Sequence, residues 1–235
     1  MKGIILAGGK GTRLRPATYA YNKHLVSILN KPMILYPIET MKHFGVKDIL
    51  IVTGGNHIGG IAGFLGDGSD YGMKFTYKVQ KEAGGIAEAL GLAEEFIGDD
   101  TMLVCLGDNV FDNESIPSIE LDKDNATIFL KEVEGNKRFG VPTIEGEKIT
   151  EIIEKPDNPK SKYAVTGLYY YPPDVFDVIK TLEPSGRGEL EITDVNNYYV
   201  KNNKCKYAIV EGYWGDAGTP ESLHKASIWA YGKKD

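Results

Sequence analysis

The stretch that most constrains this chain is Gly3-Ile4-Ile5-Leu6-Ala7-Gly8-Gly9-Lys10-Gly11-Thr12-Arg13-Leu14-Arg15-Pro16, followed by Lys23. An apolar run that ends in glycines and then cations reads as a buried strand entering a turn able to wrap a polyphosphate. Glycine has no Cβ and tolerates positive φ, so backbone N–H groups at Gly8, Gly9 and Gly11 can converge on phosphate oxygens. Arg13 adds a planar fork for two oxygens, and Lys23 adds a mobile point charge. The dinucleotide fingerprint is excluded because Leu14 stands where its last glycine is needed, and the P-loop because no Lys-Ser/Thr pair follows Gly11. A plain glycine-rich surface turn is the competing reading.

With 235 residues the chain can bury a substantial core, and residues 1–235 are expected to form one domain. Apolar residues make up 42% and charged residues 26%, an ordinary soluble composition. No apolar run approaches membrane-spanning length, and Met1-Lys2-Gly3 leads into too short an apolar run for a signal peptide. A cytoplasmic location without a membrane partner is therefore expected. A net charge of −6 argues against a nucleic-acid partner. A negative protein that handles phosphates has to gather its cations locally and recruit a divalent metal. Cys105 and Cys205 match no metal-ligand or disulfide framework and read as structural.

Strand-like runs over residues 3–7, 48–53, 74–79 and 101–106 alternate with helical patterns over 32–43 and 86–96. This alternation predicts an α/β fold, with a mostly parallel sheet and helices on both faces. Pro32 fits the first turn of its helix. Further strands are expected over 126–132, 138–143, 148–154, 163–171 and 204–211, extending the same sheet in mixed fashion. Helices are expected over 174–182, 190–200 and 220–231.

Asp108 follows the buried strand 101–106, where open α/β sheets bind ligands, although an aspartate there can also be a turn former. Asp216, in Trp214-Gly215-Asp216-Ala217-Gly218-Thr219-Pro220, is a second candidate whose plain alternative is an Asx-turn. Two carboxylates from distant parts of the chain suit magnesium, which takes one or two protein oxygens beside phosphate and water. Lys155 precedes Pro156, which biases it toward extended backbone and aims its side chain. Arg187 lies between Gly186 and Gly188 ahead of a helix. Both could be ordinary surface cations. The tyrosine runs read as packing residues, and no histidine is given a catalytic part.

Taken together, GIILAGGKGTRLRP, NKH, NKPMI, LGDGSDYG, YKVQ, GGIAEAL, LGDN, RFGV, EKP, KSKYAVTGLYYY, RGELEITDVNN and WGDAGT resemble the sugar-1-phosphate nucleotidyltransferases, from Met1 to about Ala230. The resemblance implies a Rossmann-like mixed sheet of nucleotide-diphospho-sugar transferase architecture, with a nucleotide part over about 1–110 and a sugar part over about 111–235. It also implies Mg2+-dependent transfer of a thymidylyl group from dTTP to glucose 1-phosphate, by a homo-oligomer acting on small-molecule substrates. Within that picture Leu6, Gly8, Gly9, Gly11, Thr12 and Arg13 hold the nucleotide, and Lys23 stabilises the triphosphate in the transition state. Gln80 and Gly85 read the pyrimidine edge, where a glutamine amide offers both a donor and an acceptor. Asp108 and Asp216 hold the metal. Asn109, Gly140, Glu154, Val165, Thr166 and Gly167 line the sugar pocket, and Lys155 and Arg187 bind its phosphate. Arg13, Lys23 and Asp108 form the catalytic set.

Departures from the family pattern fall on selectivity: Val26-Ser27 where relatives have Leu-Pro, Glu88 where they have Gln, and Phe139 where Tyr is common. The chain is also expected to lack the longer C-terminal helical region of larger members. Alternatives are UTP or another sugar 1-phosphate as substrate, a sugar-nucleotide-using glycosyltransferase, and a silent nucleotide-binding regulator.

Overall fold

The computed structural model describes residues 1–118 and 122–233. In the first half, β1 (Lys2–Ala7), β2 (Ser27–Ile28), β3 (Lys31–Pro32), α1 (Leu35–His43), β4 (Asp48–Gly54), α2 (Ile58–Leu65) and β5 (Lys74–Gln80) lead to α3 (Ile86–Gly91), α4 (Glu94–Ile97), β6 (Met102–Leu106) and β7 (Asn109–Phe111). The second half continues with β8 (Ala126–Glu132), β9 (Gly140–Glu145), β10 (Lys148–Glu154), β11 (Tyr163–Tyr171), α5 (Val175–Lys180), α6 (Ile192–Lys201), β12 (Cys205–Ile209), β13 (Trp214–Asp216) and α7 (Pro220–Gly232). No described helix is long and apolar enough to cross a membrane.

A seven-stranded sheet of order β12-β8-β11-β6-β1-β4-β5 runs through both halves. β1 pairs parallel with β4 and β6, β4 with β5, and β12 with β8. β11 runs antiparallel to both β6 and β8. The sheet is therefore mostly parallel and mixed, as its alternating pattern predicts.

Side chains alternate across a strand, so Ile4 and Leu6 of β1 enter one core layer while Ile5 and Ala7 enter the other. β6 does the same with Met102 and Val104 against Leu103 and Cys105. A strand apolar on both faces has to be covered on both. Leu90 of α3, Phe176 of α5 and Tyr199 of α6 cover one face; Ile38 and Met41 of α1 with Ile61 and Leu65 of α2 cover the other.

Local expectations needed three corrections, and one helix had not been anticipated. Pro32 belongs to the short β2–β3 pair, and α1 starts only at Leu35, where Pro37 takes a first-turn position that needs no N–H. The helix expected over 86–96 is two pieces, because a short-range Ala93 N–H to Leu90 carbonyl bond of 2.9 Å ends α3. β9 and β10 form their own antiparallel hairpin rather than extending the sheet. Asn197 of α6 holds that hairpin by bonding both the N–H and the carbonyl of Ile152, at 2.9 and 2.8 Å. α2 is helical despite Gly59, Gly60 and Gly63, because a right-handed crossover from β4 to parallel β5 has to cover the sheet.

Phe129, fully buried on β8, meets Phe44 edge-on with ring centroids 6.0 Å apart. Phe129→Ala is expected to cost about 3–5 kcal/mol of stability. Urea unfolding of the two proteins checks it, and a loss below about 1 kcal/mol would contradict this placement of the core.

Candidate active site

β1 delivers the chain to the carboxyl edge of the sheet, where the glycine turn begins. Gly11 has φ +62°. A Cβ there would lie 2.8 Å from the Cβ of Lys23, and one on Gly9 would lie 3.0 Å from Lys23 Cε. The glycines thus clear a path for the stem of Lys23 as well as for any ligand. Lys23 Nζ ends 2.5 Å from Asp108 Oδ2.

Asn22 caps the turn that carries Lys23. Its Oδ1 accepts the His24 backbone N–H at 2.8 Å and meets His24 Nδ1 at 2.5 Å, while Nδ2 donates to the Ala7 carbonyl at 3.2 Å. Because an amide oxygen only accepts, His24 carries its proton on Nδ1. Burial, then the Lys23 charge, lowers His24 to about 3.

Two cavities meet at this edge. A cavity of about 230 Å³ is lined by Leu6, Gly8, Gly9, Lys23, Gln80 and Gly85. An adjoining cavity of about 310 Å³ is lined by Asn109, Gly140, Glu154, Lys155, Val165, Thr166, Gly167 and Arg187, with Arg13 and Asp216. Asp108 and Leu106 belong to both walls. Every residue expected at the sugar phosphate thus shares one hollow, whereas Gly11 and Thr12 are not part of either wall.

The reversed strand β11 explains the second cavity. Leu168 pairs with Cys105, so Val165, Thr166 and Gly167 extend past the carboxyl end of β6 beside Asp108. There the β8–β11 register breaks, and Thr166 Oγ1 bonds the Phe129 carbonyl at 2.8 Å. Asn109 Oδ1 accepts from the Gly167 N–H at 2.9 Å and from Trp214 Nε1 at 2.6 Å. A Cβ on Gly167 would come within 2.6 Å of that oxygen, so only glycine fits there.

β7 and β13 pair with Asn109 opposite Asp216, which brings the second carboxylate to the first. Around the point where a Gly218 Cβ would sit, Asp216 Oδ1 lies at 2.8 Å, Arg13 Nη2 at 3.0 Å and Asp108 Oδ2 at 3.4 Å. Burial alone would raise the Asp108 carboxyl, but Lys23 holds it below the ordinary range. Burial and the neighbouring Asp108 charge raise Asp216. Among the described residues Asp216 makes no ion pair, and no group of three or more His, Cys, Asp or Glu side chains gathers as metal ligands. Two crowded carboxylates beside a polar hollow fit a magnesium ion that takes its other ligands from phosphate and water.

Lys155 corrects the expectation of extended backbone, since its φ is +45°. Its Nζ sits 3.1 Å from Glu154 Oε1. Arg187 reaches Glu191 at 2.8 Å. Sequence reasoning passed over His24, Arg138, Glu189, Glu191 and Trp214, all of which line these cavities. Their sequence signal lay in adjacency, because each sits within or beside a motif already singled out for other residues.

The nucleotidyl transferase family profile matches residues 2–230. The chain belongs to the nucleotidyl transferase family. It is 43% identical to a glucose-1-phosphate thymidylyltransferase of Neisseria meningitidis serogroup A, over 97% of this chain and 81% of that protein. It is 42% identical to the low-salt glycan biosynthesis nucleotidyltransferase Agl11 of Haloferax volcanii, spanning 97% of this chain and 65% of that protein. A solved Bacillus anthracis structure, in complex with a sucrose, superposes with a TM-score of 0.90 at 48% identity over 98% of this chain and 95% of that one. A UDP-glucose pyrophosphorylase complexed with UDP-glucose shares the fold, with a TM-score of 0.85 at 24% identity over 99% of each chain.

Neutral burial of His24 makes this nucleotidyl transferase acid-sensitive. The folded ring stays neutral down to about pH 3, whereas an unfolded histidine binds its proton near 6.5, so the unfolded state takes up the extra proton between these values. The His24 contribution is complete above that upper value and falls on acidification, by about 2 kcal/mol at pH 5. Urea unfolding from pH 7 to pH 5 is expected to show a loss of that order beyond the loss in His24→Gln; parallel curves would contradict it.

Proposed function

We propose that this chain catalyses Mg2+-dependent transfer of a thymidylyl group from dTTP to glucose 1-phosphate, giving dTDP-glucose and pyrophosphate. The observation that carries this reading is the meeting of Arg13, Asp108 and Asp216 around one point where the two cavities adjoin. The names of the relatives in Neisseria support the substrate pair. Both substrates are small molecules, and a cytoplasmic homo-oligomer is part of the same reading.

In this reading the smaller cavity takes the nucleotide, against Leu6, Gly8 and Gly9, with Gln80 and Gly85 at the base. Gly11 and Thr12 shape the turn around the phosphates. The larger cavity takes the sugar phosphate, with Asn109, Gly140, Glu154, Val165, Thr166 and Gly167 at the hydroxyls and Lys155 and Arg187 at the phosphate. Asp108 and Asp216 would hold magnesium, which supplies charge neutralisation at the reacting phosphates.

The reaction is an in-line displacement at the α-phosphorus. A phosphate oxygen of the sugar 1-phosphate attacks, its bond to phosphorus forms, and the bond to the bridging oxygen of pyrophosphate breaks. The nucleophile is already an anion, so the fold has to bring two anions together rather than remove a proton. Lys155 and Arg187 orient the attacker, and Arg13 and Lys23 stabilise charge growing at the α-phosphate. Lys23 has to exchange its Asp108 partner for phosphate oxygen as the nucleotide enters.

A pyrophosphate-release panel crossing dTTP, UTP, CTP and ATP with glucose, galactose and N-acetylglucosamine 1-phosphates tests the reading. The dTTP and glucose 1-phosphate pair is expected to turn over fastest; a UTP optimum would reassign the nucleotide, and no release with any pair would remove the reading. Lys23→Ala and Asp108→Asn are each expected to lower kcat by about a hundredfold or more with folding retained. Near-normal rates in folded variants would contradict those roles.

A further inference from the structure

Behind the glycine turn lies a third hollow, of about 530 Å³, for which the transfer reading has no use. It shares Gly8, Gln80 and Ala83 with the smaller cavity, so the two stand back to back. Lys10, Arg15 and Lys81 line it, with Glu82 as the one acid among its lining residues. All three cations are exposed, and among the described residues none of them makes an ion pair. Arg15 rests on the Tyr19 ring, with its guanidinium carbon 4.9 Å from the ring centroid. The cavities assigned to the substrates are charged the other way. Lys23 faces Asp108 and Glu189 in the smaller one, and four cations face five acids in the larger. A chain with a net charge of −6 thus sets an unpaired excess of positive charge beside the nucleotide cavity rather than inside it.

We infer that this hollow is a landing site for the polyphosphate tail of a nucleoside triphosphate, which Lys10, Arg15 and Lys81 draw in by charge before the nucleotide crosses Gly8 into the smaller cavity. The need is electrostatic. A triphosphate approaches as a multiple anion, and both the chain as a whole and the cavity it has to enter carry acids in excess. A cleft of the opposite sign raises the local concentration of such a ligand and its association rate, by roughly tenfold to a thousandfold. Unpaired cations serve this purpose better than paired ones, because an ion pair presents little net field and has to be broken before it can accept a phosphate. Exposure serves it as well. Solvated lysines on mobile stems attract an anion without binding it tightly, and a landing site has to release what it catches. The three cations therefore act on the rate of capture and not on the chemical step, which is left to Arg13 and Lys23. The inference rests on the nucleotidyl transfer reading for the identity of the ligand.

Stopped-flow fluorescence tests it, using dTTP with a methylanthraniloyl group on its 3′ oxygen, in the presence of Mg2+ and without sugar phosphate, so that no turnover occurs. Mixing gives the association rate constant, and a chase with unlabelled dTTP gives the dissociation rate. Wild-type association is expected to slow by about fivefold or more between about 0.01 M and about 0.15 M salt, as the screening length falls from roughly 30 Å to roughly 8 Å. The triple variant Lys10→Gln/Arg15→Gln/Lys81→Gln is expected to associate about tenfold more slowly at the lower salt, to vary by less than about twofold across the range, and to dissociate within about twofold of the wild-type rate. Lys10→Arg/Arg15→Lys/Lys81→Arg keeps the charge and is expected to keep the wild-type association rate. A neutral variant that associates like the wild type overturns the inference, as does a charge-keeping variant as slow as the neutral one. A loss confined to dissociation overturns it as well, since the three groups would then belong to the bound complex, and so does a wild type that does not bind the nucleotide. Adding glucose 1-phosphate and measuring pyrophosphate separates the two claims. Salt-sensitive capture without release would remove the transfer reading and leave the landing site standing, whereas release with salt-insensitive capture would do the reverse.

Discussion

Two carboxylates far apart in the chain, one near its middle and one near its end, share one partly enclosed space, and the surroundings are arranged to make that tolerable. Asp108 follows β6 and Asp216 closes β13, and the β7–β13 pairing forces them together. An ionised carboxylate out of water costs several kcal/mol unless a counter-charge lies close. Lys23, at 2.5 Å, answers for Asp108 and draws its carboxyl down; Asp216 stays raised by burial and by its neighbour. For a chain with a net charge of −6, cations gathered at this spot offset the charge of the crowded acids. The same cations suit phosphate, so stability and ligand chemistry draw on one set of charges.

Sheet topology decides which residues can join that set. The parallel strands β1, β4, β5 and β6 all open their carboxyl ends on one edge, where the glycine turn, Gln80 and Asp108 emerge. A further parallel strand beside β6 would have sent only its own end loop there. Because β11 runs backward, its interior residues Val165, Thr166 and Gly167 lie past the end of β6 and form a floor. The register break at that point releases backbone groups that a regular ladder would have used. One reversed strand thus gives the second, polar hollow part of its wall beside the smaller one.

Legibility in the sequence followed the range of the forces involved. β1 and β6 were readable because apolar runs buried on both faces have few other fates, and their alternation into two core layers matches. Asp108 was readable because the end of such a strand is a ligand position in any open α/β sheet. α2 was not, since its glycines argue against a helix locally and only the crossover demands one. Lys155 read as extended from Pro156, yet it adopts a left-handed backbone conformation where the chain leaves the β9–β10 hairpin. Glu191 and Glu189 went unnoticed because a glutamate beside a candidate arginine looks the same in sequence whether it faces solvent or that arginine. Motif resemblance grouped Asn109, Gly140, Glu154, Lys155, Val165, Thr166, Gly167 and Arg187, and the structure gathers these residues in one cavity.

The acidic lining of that second cavity is at first sight unsuited to a phosphate. Arg187 lies 2.8 Å from Glu191, 3.5 Å from Glu189 and 3.6 Å from Glu154, and Lys155 rests on Glu154. Both cations are close to half exposed, and ion pairs of that kind contribute about 1 kcal/mol or less each. They hold long, flexible side chains in place, and in the proposed reading they exchange for a doubly charged phosphate that offers two oxygens to the fork of Arg187. Thr193 holds Glu154 Oε2 at 2.7 Å, so the acid keeps its place when a cation swings away and stays available to accept a sugar hydroxyl. A sugar without a phosphate would gain no such exchange and would leave the pairs intact. Under the proposed function the glutamates are placeholders that let the cavity distinguish a sugar phosphate from a sugar.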